Sequence, residues 1–345
     1  MPLLRRFSVA AYNKNSASAN TLRNQVLVSE TASVGVVYDD TSIGLTNIAN
    51  GAMGAGKHLL FVHGNSRVDS VNENRFATLR TERNKVLVVN SSPLKTTYTN
   101  KHTFFNMMHT SVDCNPLIPL YWTGKQDAVN YLSQRDGNSV VERHTLNGSG
   151  GDGIRIVNNP VNLSDDARLY VQYIKKKEEY RVHFFKLPNG TIQYHTQKKM
   201  LRRDRAPTTD ATIPFNGAQF KVRNLANGWI YATNNIVPPA IVRDAAAAVA
   251  AELSLTYGAL DIIYNAGSDS AYVLEVNTAP GLVGNTVQWL VSQLRIVADT
   301  EELFTGRHSI YERYLPENPA QNIQEDDADE DYYPDDTFLD EEPNF

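Results

Sequence analysis

Three residues near the end of the chain, Asp261, Glu275 and Asn277, have the types and spacing that suit divalent-cation chemistry. Asp261 stands in 258–264 (GALDIIY), Glu275 and Asn277 in 272–282 (YVLEVNTAPGL), and both stretches otherwise read as apolar strands. Burying an unpaired carboxylate is costly, so each acid needs a neutralising partner. Magnesium is one candidate, because it takes hard oxygen ligands and is held by one or two carboxylates together with substrate phosphates. Arginine bridges, or a strand face turned to solvent, are the others. Asn277 lies two residues beyond Glu275, which sets both side chains on one face of a strand.

The run LEVNTAPGL, with an Asp one strand earlier, resembles the metal-binding signature of the ATP-grasp superfamily. That group includes D-alanine ligases, glutathione synthetases and ribosomal-protein glutamate ligases, and the sequence is similar to phage-encoded members too. The likeness runs over residues 101–294. It implies ATP as co-substrate, with Mg2+ held by Asp261, Glu275 and Asn277. Lys101, opening KHTFF, matches the first phosphate-binding lysine. Arg143, in VVERH, stands near the second, usually a Lys; Arg grips phosphate oxygens bidentately and can serve. Gly150 and Gly151 lie in 147–153 (NGSGGDG), which matches a loop that closes over the nucleotide and expels water.

Gln172, Tyr173 and Ile174 match the hinge that receives the adenine ring, with Gln172 where Glu is usual; a Gln can still both donate and accept. Glu179 matches the acid on the ribose hydroxyls, and Glu178 competes for that role. Arg181 and Lys198 stand where cations face the phosphates and the acceptor. Taken singly, each of these is also commonplace without function: a solvated charge, a plain glycine turn, or alternating charges on a half-exposed hairpin. D-alanine ligases carry an Arg two residues before the first metal-binding Asp, and this chain has Ala259 there. Another cation, such as Arg181, Arg203 or Arg223, must then support the acyl phosphate, or the chemistry differs. The basic run 198–205 (KKMLRRDR) is either a site for an acidic acceptor or polypeptide, or a solvated loop.

Elements able to position these residues are legible in the alternation. Four stretches before residue 110, QVLVSE, VGVVYDD, HLLFVHGNS and NKVLVVNSS, read as strands ending in turn residues, and 103–109 is amphipathic. Residues 124–134 predict a helix leading into the Asp136-Gly137 turn, followed by strands over 139–144, 154–157 and 169–174. Strands 180–186 and 191–197 flank the Pro188-Asn189-Gly190 turn and form a hairpin. The alanine-rich segment 240–256 predicts a helix after Pro238-Pro239, with Gly258 as its C-cap. Strands 259–264 and 271–276 follow, joined by the turn 265–270, and 286–297 is a final helix.

The expected architecture is an α/β (α+β) ATP-grasp fold. An N-terminal α/β pre-grasp region would occupy 1–110, a small subdomain with the glycine loop and hairpin 111–200, and a C-terminal subdomain with the metal site 201–318. The nucleotide would sit between the two α+β subdomains, and 319–345 would be a disordered acidic tail. The 345 residues suffice for two or three packed subdomains. The formal charge of -5 conceals an asymmetry, because 321–345 holds 11 acidic residues and no Lys or Arg, which leaves 33 basic against 27 acidic residues in the body. Such a tail serves solubility or docks on the basic body.

Cys114 is the sole cysteine, so internal disulfides and thiolate metal clusters are excluded; a lone nucleophile is the one chemical role left to it, and burial as a small apolar residue is expected. Gly51–His58 (GAMGAGKH) nearly spells a P-loop, but His58 replaces the Ser or Thr and a strand follows where a helix is needed. His183 and His195 on facing strands lack a third ligand for zinc. No nucleic-acid module accompanies the basic charge, and no apolar run spans a membrane. With no secretory signal at the N-terminus, a cytoplasmic location is expected. The function expected is an ATP-dependent carboxylate-amine ligase, acting on small carboxylate and amine substrates or a peptide or protein acceptor. The alternatives are phosphoryl transfer to a hydroxyl, or a non-catalytic ATP-binding protein.

Overall fold

Strands that are apolar on both faces build the first sheet, the pattern expected of parallel strands buried between layers. β1 (Leu4–Ala11), β2 (Val36–Tyr38), β3 (Lys57–His63) and β4 (Val86–Val89) are parallel in the order β2-β1-β3-β4. Val9, Leu59, Phe61, Leu87 and Val89 are fully buried in its core. The computed structural model describes residues 4–11, 13, 15–28, 36–38, 57–64, 86–92, 94–147, 153–176, 178–201, 223 and 228–305. The glycines of 51–56, the loop positions 148–152, most of 202–227 and the acidic tail lie outside the described residues.

QVLVSE, expected as a strand, is helical over its described part, within α1 (Ala17–Val28). Ala19, Leu22 and Val26 recur at helical spacing and bury against the first sheet, and that period overrides the β preference of the Val-Leu-Val run. The other three expected strands are β2, β3 and β4. β1 is hidden in the sequence by the polar Arg5, Arg6 and Ser8 among its apolar residues.

The second sheet, β5-β8-β6-β7, is antiparallel: β5 (Tyr121–Trp122), β6 (Val140–Arg143), β7 (Ile154–Val157) and β8 (Leu169–Gln172). α4 (Lys125–Gln134) covers it through Ala128 and Leu132, which meet Val140, Val157 and Tyr170. Before it come α2 (Lys95–Thr99) and α3 (Lys101–Thr110), the latter capped by Asn100, whose side chain accepts from the Thr103 N–H at 3.1 Å. Cys114 is buried, as expected.

The third sheet holds the site. Its order is β11-β10-β9-β12-β13, all antiparallel, from β9 (Glu178–Lys186), β10 (Ile192–Leu201), β11 (Trp229–Ala232), β12 (Tyr257–Asn265) and β13 (Ser270–Asn277). The β9–β10 hairpin therefore hydrogen-bonds with 229–277 rather than with the second sheet. Register fixes which side chains share a face. Tyr180, Val182, Phe184, Leu260 and Ile262 form the core face, against α3 and against Val242, Ala246 and Val249 of α5 (Ala240–Glu252). Phe185 and Tyr257 on the other face pack with the first sheet and α6 (Asn285–Asp299). The chain then ends its described part in α7 (Glu302–Thr305).

Gly258, expected as the C-cap of α5, instead lies inside β12; α5 ends at Glu252, with Leu253 as its C-cap. A Cβ on Gly258 would stand 3.0 Å from two atoms of the Phe184 ring and 3.3 Å from the Asn277 carbonyl oxygen. Glycine is thus needed there for close packing of the sheet against itself. No helix among the described residues is long and apolar enough to cross a membrane.

Candidate functional site

On the face of the third sheet shared by Glu179, Arg181 and His183, two carboxylates stand directly opposite each other: Asp261 on β12 pairs with Glu275 on β13. Like charges opposed across a strand pair repel, so the arrangement persists only with compensation. Asp261 takes a bidentate grip from Arg181, at 2.8 Å from Nε to Oδ1 and 3.0 Å from Nη2 to Oδ2. The Tyr231 hydroxyl donates to the same Oδ2 at 3.2 Å. Burial alone would lower the Arg181 pKa, but Asp261 outweighs it and leaves the guanidinium raised. Arginine bridging, one of the readings open from the sequence, therefore holds for Asp261.

Glu275 meets cations from the other elements. Lys101 Nζ lies 3.3 Å from Glu275 Oε2, and its side chain is almost fully buried. Lys101 opens α3, where the helix dipole disfavours a cation, so the carboxylate offsets that cost as well. Arg143 at the end of β6 is half-buried; desolvation pushes its guanidinium down, while nearby Glu275 pulls it back up, and its buried Nε has no hydrogen-bond partner among the described residues. Lys101, Arg143, Arg181, Asp261 and Glu275 thus converge, and two of the cations come from outside the third sheet.

Asn277, opposite Ala259, carries a buried amide nitrogen with no partner among the described residues. That end is open to an outside ligand: a phosphate oxygen for Nδ2 or, with the amide turned over, a cation for Oδ1. Two carboxylates and an amide form a hard-oxygen set that fits Mg2+ and leaves positions for phosphate oxygens. No group of three His, Cys, Asp or Glu side chains gathers among the described residues. His183 is engaged with the Tyr257 hydroxyl at 3.1 Å and Gln197 at 3.2 Å, and His195 with Thr286 at 3.0 Å.

Further along the same face, Glu179 is buried between Lys176 at 2.7 Å and Lys199 at 2.5 Å. Burial would raise its carboxyl, but Lys199 and Lys176 prevail and hold it below the usual range. Glu178 projects to the opposite face, where it accepts from Lys198 at 2.6 Å and from the Tyr180 hydroxyl. Lys198 pairs with Tyr180 in the register, so it stands on the core face, away from Asp261 and Glu275. Lys199 and Tyr231, cross-strand partners, share the face of the carboxylates; the sequence marks Lys199 only as part of the basic run 198–205, and Tyr231 not at all. The signal was available in the hairpin: counting pairs back from the Pro188-Asn189-Gly190 turn sets Gln197 opposite Arg181 and aligns Lys199 with Glu179.

Gln172 sits at the end of β8, its amide N–H bonded to the Leu120 carbonyl at 2.8 Å; Tyr173 donates its N–H to Ser139, and Ile174 is buried. Arg223 stacks on the Trp229 ring at 4.6 Å, and its charge reaches Glu179 and Tyr173. Gly150 and Gly151 lie outside the described residues, as does Arg203.

No protein-family model matches the sequence, and no curated protein does. Solved structures do. D-alanyl-alanine synthetase A from Vibrio cholerae superposes with a TM-score of 0.54 at 14% identity, covering 87% of this chain and 99% of that one. The D-alanine–D-alanine ligase of Bacillus anthracis, solved with ATP, gives 0.51 at 15% identity over 87% and 97%. A RiPP-associated ATP-grasp ligase from Chryseobacterium gregarium, in complex with ADP and a leader and core peptide, gives 0.51 at 10% identity over 88% and 100%. At these identities the likeness is one of fold.

Proposed function

We propose that this chain, whose fold is ATP-grasp, is an Mg2+-dependent ligase that activates a carboxylate with ATP and joins it to the amine of an amino acid or peptide. One observation carries the reading: two opposed strand carboxylates, Asp261 and Glu275, ringed by Arg181, Lys101 and Arg143. A protein that needed only stability would gain more from apolar residues at such positions. Two of the ligase neighbours were solved with ATP or ADP, one of them also with a peptide, which supports the substrate class.

In this reading the nucleotide's phosphates lie over Glu275, within reach of Lys101 and Arg143. Those cations stabilise the charge spread over the oxygens of the transferring phosphoryl group. Magnesium held by Asp261, Glu275 and Asn277 would supply further neutralisation of the phosphate oxygens. Glu179, fixed as a carboxylate by Lys176 and Lys199, is suited to accept from the ribose hydroxyls. The strand Gln172–Ile174 offers the backbone and apolar surface for adenine. A substrate carboxylate oxygen bonds to the γ-phosphorus as the bond to the bridging oxygen breaks and ADP leaves. The amine nitrogen then forms the amide bond, loses a proton and displaces phosphate. Arg181 supplies the guanidinium that Ala259 lacks, from the neighbouring strand and on the same face as Asp261.

The test is ADP release against pools of amino acids and peptides, with products identified by mass. An amide product with stoichiometric ADP, abolished by Glu275→Gln in a folded protein, is expected. Full activity in that variant would refute the assignment, and a stable phosphorylated product with no amide would replace ligation by phosphoryl transfer to a hydroxyl.

A further inference from the structure

Both carboxylates of the site carry a cation supplied by the chain itself, but the two are held differently. Asp261 is gripped on both oxygens by Arg181, and its side chain is 8% exposed. The Glu275 side chain is 28% exposed and meets Lys101 through Oε2 at 3.3 Å. Its Oε1 has no hydrogen-bond or ion-pair partner among the described residues, so Glu275 is where an incoming divalent cation first finds an oxygen. Lys101 is the harder charge to satisfy. Its side chain is 6% exposed, so water cannot take the place of a lost anion, and it opens α3, where the helix dipole opposes a positive charge. Lys101 Nζ also lies 3.5 Å from the Leu146 carbonyl, which accepts the Lys101 backbone N–H at 3.2 Å. The ammonium is thus tethered between β13 and the chain at Leu146, just before the glycine loop.

We propose that Lys101 makes divalent-cation binding conditional on the nucleotide: as counter-ion of Glu275 it holds Mg2+ off, and the triphosphate admits the cation by taking the ammonium over. A dication at Glu275 Oε1 faces the ammonium across a single carboxylate, with little water between them to screen the repulsion. Mg2+ alone brings no anion to relieve that repulsion. A polyphosphate does, because its oxygens satisfy Lys101 and ligate the cation together. The Leu146 carbonyl keeps Nζ in place while its anion changes. By linkage, whatever factor the nucleotide contributes to cation affinity, the cation returns to nucleotide affinity. Substituting a residue that grips phosphate should therefore tighten cation binding in the nucleotide-free protein.

The inference rests on the proposed function for its nucleotide, and the experiment separates the two. Mg2+ alone is titrated into wild type, Lys101→Met and Lys199→Met, read by calorimetry and by the shift of the thermal unfolding midpoint. Lys199→Met removes the same charge from the carboxylate face but from a lysine paired with Glu179, so it reports general electrostatics. Lys101→Met is expected to bind Mg2+ about tenfold or more tightly than wild type, with a larger Mg2+-induced rise in midpoint, and Lys199→Met to gain less. Unchanged Mg2+ affinity in Lys101→Met, or an equal gain in both variants, overturns the inference. Lys101→Gln is measured if the Met variant does not fold. Wild type that binds Mg2+ equally well with and without a nonhydrolysable ATP analogue overturns it independently of any variant. Wild type that binds no analogue even with Mg2+ contradicts the proposed function instead, while the nucleotide-free comparison still reads the hold of Lys101 on Glu275.

Discussion

The pair Arg181–Asp261 allows a test that needs no substrate. Its two hydrogen bonds, at 2.8 and 3.0 Å, join side chains that are only 15% and 8% exposed. Opposite charges about 4 Å apart at an effective dielectric near 20 attract by about 4 kcal/mol. Arg181→Met leaves Asp261 with the Tyr231 hydroxyl alone while Glu275 faces it across β13, and breaking one partner of a buried pair costs about 3–5 kcal/mol. Asp261→Asn leaves the guanidinium buried with a neutral acceptor. In the double variant neither charge remains, so its loss of stability should fall short of the sum of the singles by about 2–4 kcal/mol. Urea unfolding of the wild type, both singles and the double measures this coupling. Single losses that add to within about 0.5 kcal/mol would refute it, because independent sites behave that way.

Three further outcomes follow from the geometry. His183 and His63 are fully buried and their pKa values fall, chiefly by desolvation, to about 3 and about 4. Both are depressed below the unfolded value of about 6.5, so the unfolded chain binds more protons below that pH, and stability present above it is lost as pH falls toward the folded values. Each should cost roughly 2 kcal/mol by pH 5, read as a lower urea midpoint; an unchanged midpoint between pH 7.5 and 5 contradicts this. Gly258→Ala places a methyl 3.0 Å from the Phe184 ring and should destabilise by about 1–3 kcal/mol, measured by thermal unfolding; no loss would show that the ring yields freely. Lys199→Met should weaken binding of an ATP analogue more than Lys198→Met does, because only Lys199 shares the carboxylate face; equal effects would count against that division.

Much of the fold was legible because its strands are short β-rich runs bounded by turn residues. The first hairpin strand, the turn at Gly137, and the helices 125–134 and 285–299 lie within two residues of their expected bounds, while the second hairpin strand runs four residues past its expected end at 197, to Leu201. QVLVSE misled because a short apolar run fits either period, and only the partner sheet decides between them. Gly258 misled because a glycine after a helix serves as a cap or as a packing gap, and the Phe184 ring that needs the gap is distant in sequence. Asp261, Glu275 and Asn277 were legible as acids and an amide at strand spacing, yet the cations around them were only partly so. Lys101 and Arg143 come from other elements, and Arg181 meets Asp261 80 residues away. Tyr231 carried no signal, since its role depends on strand order and sheet twist.

The most direct measurement is a calorimetric titration of a nonhydrolysable ATP analogue into wild type and Arg143→Met, each with and without Mg2+. Arg143 belongs to the second sheet and meets Glu275 of the third, so it reports whether phosphates lie where the two sheets converge. Magnesium-dependent binding in the wild type, weakened about tenfold or more in the variant, is the expected result. Binding of equal strength in both proteins, indifferent to Mg2+, would place the nucleotide elsewhere or nowhere on this chain.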